Sequence, residues 1–422
     1  MLLFFSGWWR RQGRSGHGRR QPSVRRGWRP QLEVLEDRIV PSTLAVTNSD
    51  DNVNERGTLR YAIANAQSGD TIRMAADLRM SPIVLIQGEL VLDKDLTIIG
   101  NGPSPVTVSG GGNSRVFEVA AGANVTLDNL AITDGNGVAD NPDGTSQDDG
   151  RGGGILNFGD LTVNDSTLSG NSAAKEGGGI YNVGTVTVSG STLASNSANF
   201  GGGIFSSNLG SVTGTVTVSG STLASNSANF GGGIFNFGAL TVDDSTLSGN
   251  SAAEEGGDIY NAGTVTVSGS TLSANFGGGI FNFGALTVND STLSDNFGGG
   301  IFNFGALTVS GSILSDNSAS QGGAIDNFGT LTVSASNLSG NSASGGDGGA
   351  IWNSGTVTVT SSTLSGNSAT QGGGIYNAAG TVTVNDSTDS GNNASLGADL
   401  YLAGGVLINN NSTIGDIFPP EP

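Results

Sequence analysis

The feature that most limits what this chain can fold into is a short phrase repeated along its length. Gly-Gly-(Gly/Ala/Asp)-Ile occurs ten times between residues 152 and 375, ending at Ile155, Ile180, Ile204, Ile234, Ile259, Ile280, Ile301, Ile325, Ile351 and Ile375. The intervals are 25, 24, 30, 25, 21, 21, 24, 26 and 24 residues. Each copy continues through a Gly, a Leu/Val-Thr-Val stretch and a version of Ser-Thr-Leu-Ser-Gly-Asn. A repeat of this size cannot bury its apolar side chains alone, so neighbouring copies must stack.

Glycine supplies 71 of 422 residues, a composition that also suits a low-complexity polymer. The apolar residues decide against that, because they return in phase. In the copy Leu240-Thr241-Val242-Asp243-Asp244-Ser245-Thr246-Leu247-Ser248-Gly249-Asn250, Leu240 and Val242 alternate with Thr241, giving one buried and one solvated strand face. Leu247 marks a second strand and Ile234 a third. Strands of three to six residues form no sheet within one repeat, but stacked copies form three parallel sheets around one apolar core. The class is all-β, a three-sheet parallel β-solenoid, and eleven visible coils predict a rod of roughly 50 Å, longer with residues 81–150. The Leu column fails at Asp389, where loosening of the coil is expected.

Two asparagine columns follow the same period. One closes the Leu strand at Asn171, Asn196, Asn226, Asn250, Asn296, Asn317, Asn341, Asn367 and Asn392. The other lies two residues after the Ile at Asn157, Asn182, Asn236, Asn261, Asn282, Asn303, Asn327, Asn353 and Asn377. Asparagine tolerates left-handed backbone at a corner, and its amide can bond to the amide one coil away. Both columns are expected to be structural.

Around the repeats the chain divides into five parts. Residues 1–41 form a leader or disordered basic tail, with nine arginines and three acids in residues 1–38. Residues 42–80 form an N-terminal cap, in which Leu59, Ala62, Ile63 and Ala66 share one helical face. Residues 81–150 hold irregular first coils, 151–408 the repeat helix, and 409–422 a C-terminal tail expected to propagate no sheet. The stretch Arg29-Pro30-Gln31-Leu32-Glu33-Val34-Leu35-Glu36-Asp37-Arg38-Ile39-Val40-Pro41-Ser42 resembles the leader of large planctomycete surface or secreted proteins, which implies export. Leu59-Arg60 and Ala62-Ile63, within Val53–Ile72, resemble the CSLREA domain, a module that precedes β-helical repeats.

Gly-Gly-Ala-Ile at 322–325 and 348–351 resembles the first motif of the chlamydial polymorphic outer membrane protein repeats. Leu168-Ser169-Gly170-Asn171 and its copies are similar to the second, FxxN, with Leu in place of Phe. Most copies here read Gly-Gly-Gly-Ile. The resemblance covers roughly residues 150–395 and implies a right-handed parallel β-helix, outer membrane associated and often adhesive. No integral membrane barrel is expected after the last repeat.

Chemistry is sparse along the repeats. Residues 152–422 carry 18 acids and one base, Lys175, so nucleic acid is not an expected partner. The only histidine is His17, and cysteine is absent. A lyase needs a base, and Lys175 and Arg151 are all the region offers. Asp243-Asp244 and Glu254-Glu255 are adjacent pairs whose members point to opposite faces, unlike the facing carboxylates of a hydrolase. Asp143, Asp148 and Asp149 are candidates for weak Ca²⁺ binding only. No catalytic residue, cofactor or metal site is assigned. The candidate site is instead an aromatic stripe following the Ile column: Tyr181, Phe205, Phe235, Tyr260, Phe281, Phe302, Trp352 and Tyr376. Period two turns it away from the core, and a patchier row follows at Phe158, Phe237, Phe283, Phe304 and Phe328. The stripe is either stacking along the coil or a sticky face for a surface protein, a glycan or a second copy. The function expected is a non-catalytic surface or secreted rod. The alternatives are a carbohydrate-binding module or a degraded polysaccharide lyase or hydrolase.

Overall fold

A computed structural model describes residues 41–137, 150–209 and 212–419. The leader before residue 41 and the candidate Ca²⁺ ligands Asp143, Asp148 and Asp149 lie outside the described residues. The chain winds as a right-handed parallel β-helix with three sheets of 15, 14 and 14 strands. Every strand of the three sheets pairs with its counterpart one coil away, as in Ile180↔Ile204, Val188↔Val218 and Leu193↔Leu223. Within Thr185–Ser189, Val186 and Val188 are buried while the threonines between and before them are not. This is the alternation expected of a strand with one face on the core. The Ile, Val and Leu columns merge into one continuous apolar core from Val46 to Leu400.

The rod is longer than the repeats alone predict. Thr43–Val46 and Asp70–Met74 already belong to the 15-stranded sheet, so the cap and the first coils are turns of the same helix. Fourteen steps of about 4.8 Å give about 67 Å. The cap helix Leu59–Asn65 starts at Thr58, whose hydroxyl accepts the Tyr61 N–H at 3.2 Å. Its apolar residues Leu59, Ala62 and Ile63 are buried. Arg115, itself buried, donates to the Gly152 and Arg151 carbonyls and ties the first coils to the repeats.

Two expectations are corrected at the C-terminal end. Residues 409–418 are not a tail, because Val406–Asn410, Thr413–Ile414 and Ile417–Phe418 add one more strand to each sheet. The Asn409-Asn410-Asn411 run does not stop the sheet, since Asn410 bonds to Asn385 one coil earlier at 2.8 Å. The coil does thin at Asp389, where the Leu strand shrinks to Thr388–Asp389.

The corners also differ from expectation. The ladder asparagines are not left-handed. In the column that closes the Leu strand, positive φ falls on the residue before the asparagine, as at Ser195 (54°), Ser225 (55°) and Ala274 (55°), or on a glycine there. A second left-handed position precedes a serine column, at Asp165 (45°) and Asp244 (45°) among others. Each serine hydroxyl in that column accepts the backbone N–H of the serine one coil earlier, from Ser166→Ser191 at 3.0 Å to Ser387→Ser412 at 3.0 Å. It also donates to the carbonyl two residues before it, as Ser191 does to Ser189 at 2.8 Å. The corner polar groups are thereby satisfied where water is excluded.

The asparagine columns form ladders. Asn261→Asn282→Asn303→Asn327 runs Nδ2 to Oδ1 at 2.7–2.8 Å, and Asn296→Asn317→Asn341→Asn367 at 2.9 Å. Asn275 belongs to the second ladder, donating to Asn296 at 2.7 Å. The insertion in the 30-residue repeat is an antiparallel pair, Asn208–Leu209 with Val212–Thr213. Where the repeat is 21 residues long, the surface arm seen at Ser227–Phe230 and Ser251–Glu255 is missing. A single residue, Phe276 or Phe297, crosses that corner instead.

Candidate functional site

The aromatic stripe lies on the outside of the Ile sheet, in register along it: Tyr181↔Phe205, Phe205↔Phe235, Phe235↔Tyr260, Tyr260↔Phe281 and Phe281↔Phe302. Successive rings stack at 5.3, 5.3, 4.4, 5.2 and 5.1 Å with interplanar angles of 4–17°. Its expected exposure needs correction. Tyr181, Phe205, Phe235 and Phe281 are only 2–7% exposed, and Tyr260, Phe302, Trp352 and Tyr376 are half-buried.

The cover is aromatic too. Phe237 packs on Phe235, Phe283 on Phe281, and Phe304 on Phe302, each at 5.0–5.1 Å. Phe200 and Phe230 stand edge-on to Phe235 and Tyr260 at 5.6 and 5.8 Å. At the N-terminal end of the stripe, Arg151 lies over the Tyr181 ring at 5.2 Å and pairs with Glu176 at 2.6 Å. That contact accounts for one of the two bases of the region by packing.

The exposed rings are therefore those of the second row. Phe237, Phe283, Phe304 and Phe328 are 38–49% exposed. Phe283–Phe304 and Phe304–Phe328 stack at 5.0 and 4.9 Å. Phe276 and Phe297, at the corners shortened in the 21-residue coils, form a separate exposed pair stacked at 5.0 Å. Because Phe304 has a near-parallel neighbour on each side, both its faces are engaged and its edge meets solvent.

Within the repeats four carboxyl groups are buried, those of Asp258, Asp326, Asp389 and Asp399. Asp258 replaces the usual Gly or Ala of the repeat phrase, and burial pushes its carboxyl well above the usual range. It accepts from Asn250 at 2.7 Å and Asn275 at 2.6 Å, interrupting the direct Asn–Asn side-chain link at that step. Asp389 takes a Leu position in the core. Burial, reinforced by Asp399, raises it well above the usual range, and Asn392 donates to both carboxylates at 2.8 and 2.9 Å. Asp326 occupies a position in the aromatic stripe itself, and burial pushes it up to about 7. The sequence pattern marks Asp326 as the residue that breaks an aromatic column running from Tyr181 to Tyr401. By contrast Asp243, Asp244 and Glu254 are exposed.

Among the described residues no three His, Cys, Asp or Glu side chains converge as a metal site would require. No described helix is long and apolar enough to cross a membrane.

Residues 165–183 match the repeat of the Chlamydia polymorphic membrane protein family. That segment runs from the left-handed corner at Asp165 through the Leu strand and Asn171 to the Ile strand at Ile180–Asn182. This chain is thus a β-helix repeat protein resembling polymorphic membrane protein repeats. No curated protein matches it. Among solved structures, the periplasmic alginate epimerase AlgG aligns with a TM-score of 0.44 and 10% identity, over 82% of this chain and 84% of that one.

Proposed function

We propose that this chain is a surface-displayed rod that works by contact and not by catalysis, with the outer phenylalanine row as its adhesive face. The observation that carries the reading is the run Phe283–Phe304–Phe328, exposed on an exterior otherwise rich in Thr, Ser, Asn and acids. A contiguous exposed apolar patch on an otherwise polar exterior is the kind of surface that partners bind. The edge-on presentation of Phe304 at the centre of the row favours an apolar protein surface over a sugar, which stacks best on a free ring face. The family whose repeat matches residues 165–183 supports display at the surface. The carboxylates support the non-catalytic part of the reading, since Asp258 and Asp389 are bonded into the Asn ladder and the corner acids are solvated separately.

The test is a triple variant, Phe283→Ser, Phe304→Ser and Phe328→Ser. Its far-UV circular dichroism is expected to match the wild type, because none of the three rings lies in the Ile–Val–Leu core. Binding of the purified rod to cells is expected to be lost. A folded triple variant that binds like the wild type would rule the row out. Substituting Phe235, Phe281 and Phe302 would be a poorer test, since those rings are packed beneath the row.

A further inference from the structure

Asp389 puts a carboxyl group into the Leu column of the core, between Leu364 one coil earlier and Ile414 one coil later. It is buried together with Asp399, and one amide serves both. The Asn392 Nδ2 donates to Oδ1 of Asp389 at 2.8 Å and to Oδ1 of Asp399 at 2.9 Å. Asp399 also accepts the backbone N–H of Asn392 at 3.0 Å and of Asp416 at 2.7 Å. Oδ2 of Asp389, by contrast, is enclosed without a hydrogen-bond partner. Asp258 stands at the position of Asp399 in an earlier repeat phrase, but there two asparagines serve a single carboxyl group. No compensating charge faces the pair, since residues 176–422 contain no Lys, Arg or His. The neighbouring strands Thr363–Ser365, Thr381–Asn385, Val406–Asn410 and Thr413–Ile414 carry no titratable side chain. Tyr376 and Tyr401 stack on each other along the outer stripe, and the Asp416 side chain is exposed. The coil that covers the pair is lightly held. Leu402, Leu407, Ile414 and Ile417 are only partly buried, and Val406, Ile408 and Phe418 are exposed.

We propose that the coil from Asp399 to Phe418 is a proton-controlled latch, shut while Asp389 holds a proton and open when Asp389 and Asp399 are both ionised. With both ionised, two like charges share one amide donor where water is excluded. Lifting the coil carries Asp399 and Ile414 off Asp389 and puts both carboxylates in water. It also uncovers the sheet edges at Ile375–Asn377, Thr381–Asn385 and Thr388–Asp389, which can then pair with another strand. Burial, and after it Asp399, holds the Asp389 carboxyl well above its ordinary 3.8 while the latch is shut. Solvated in the open form, it returns to near 3.8. The shut form is therefore fully favoured below about pH 3.8 and loses that advantage as pH rises through the raised value. Within that interval one proton leaves on opening, so the opening constant grows about tenfold per pH unit. The latch stands whether or not the outer phenylalanine row is adhesive.

Hydrogen exchange of the full chain between about pH 5 and about pH 8, with each amide rate divided by its intrinsic rate, reads the latch directly. The Val406 and Thr413 N–H groups bond to Gly380 and Ser387 one coil earlier, each at 2.9 Å, and exchange only when the coil lifts. Their protection should fall with rising pH, by about tenfold per unit at its steepest. Ile180 and Thr185, in a coil far from the pair, should show no such slope. Asp389→Leu, which restores the column, and Asp389→Asn, which keeps the shape without the charge, should each abolish the slope and raise protection at about pH 8. Asp386→Asn, exposed in the same turn, should leave the slope unchanged. Protection of Val406 and Thr413 that does not vary with pH in the native chain would overturn the proposal. So would a slope that survives in a folded Asp389→Leu or Asp389→Asn protein, or an equal slope at Ile180 and Thr185.

Discussion

Asn282 shows how a single residue holds two coils together. Its Oδ1 accepts from Asn261 at 2.8 Å, and its Nδ2 donates to Asn303 at 2.7 Å and to the Gly284 carbonyl at 3.1 Å. The side chain is fully buried, so Asn282→Ala leaves polar groups on both neighbours without that partner and away from water. The expected cost is about 2–4 kcal/mol in denaturant unfolding, well beyond the ~1 kcal/mol of one net hydrogen bond. Buried acids act in the opposite direction. The Asp326 carboxyl titrates at about 7 in the fold and near its ordinary 3.8 when unfolded, so folding favours its neutral form. The stability held by that form is fully present below about pH 3.8 and is lost as pH rises to about 7. Asp258 is shifted in the same direction. Asp258→Ala, which places there the residue found at Ala324 and Ala350, should raise stability by about 1–2 kcal/mol at neutral pH and restore the Asn250–Asn275 link. A thermal midpoint unchanged by that substitution at neutral pH would contradict the burial account.

At the scale of the element, the coil is the unit that can be added or removed. The coil from Phe281 to Ile301 spans 21 residues and pairs with equivalents on both sides. Deleting it leaves Ile280 followed by Phe302 and every ladder in register. The shortened chain is expected to remain folded and to lose about 4.8 Å of length in small-angle scattering; an unfolded product would show that coils are not interchangeable. Much of this element was legible beforehand, because Ile, Val, Leu and Asn recur where the spacing varies around them. The serine ladder was hidden by abundance, since Ser166 and its counterparts sit among many other serines. Aromatic burial was hidden for a different reason. Period two separates the core side of a strand from its outer side, but says nothing of a second layer such as Phe283 over Phe281. The final strands beyond Ile408 are not legible in the sequence because Asn409–Asn411 resembles a sheet breaker, whereas Asn410 and Asn411 extend polar ladders from Asn385 and Asp386.

At the scale of the whole molecule, the described chain is one stack with an apolar interior and an acidic exterior bearing a line of rings and a separate pair, Phe276 and Phe297. Its length scales with coil number, and its surface repeats every coil, so a partner meets the same geometry at many points. Such a rod suits contact at a distance from whatever anchors it, and the charge imbalance keeps a glycine-rich surface soluble. The most direct measurement of the account is the position of the protein on its own cells. Antibody labelling and protease shaving of intact cells are expected to detect the repeat region without lysis. A protein that is labelled and cleaved only after the cells are broken would contradict the surface-rod account.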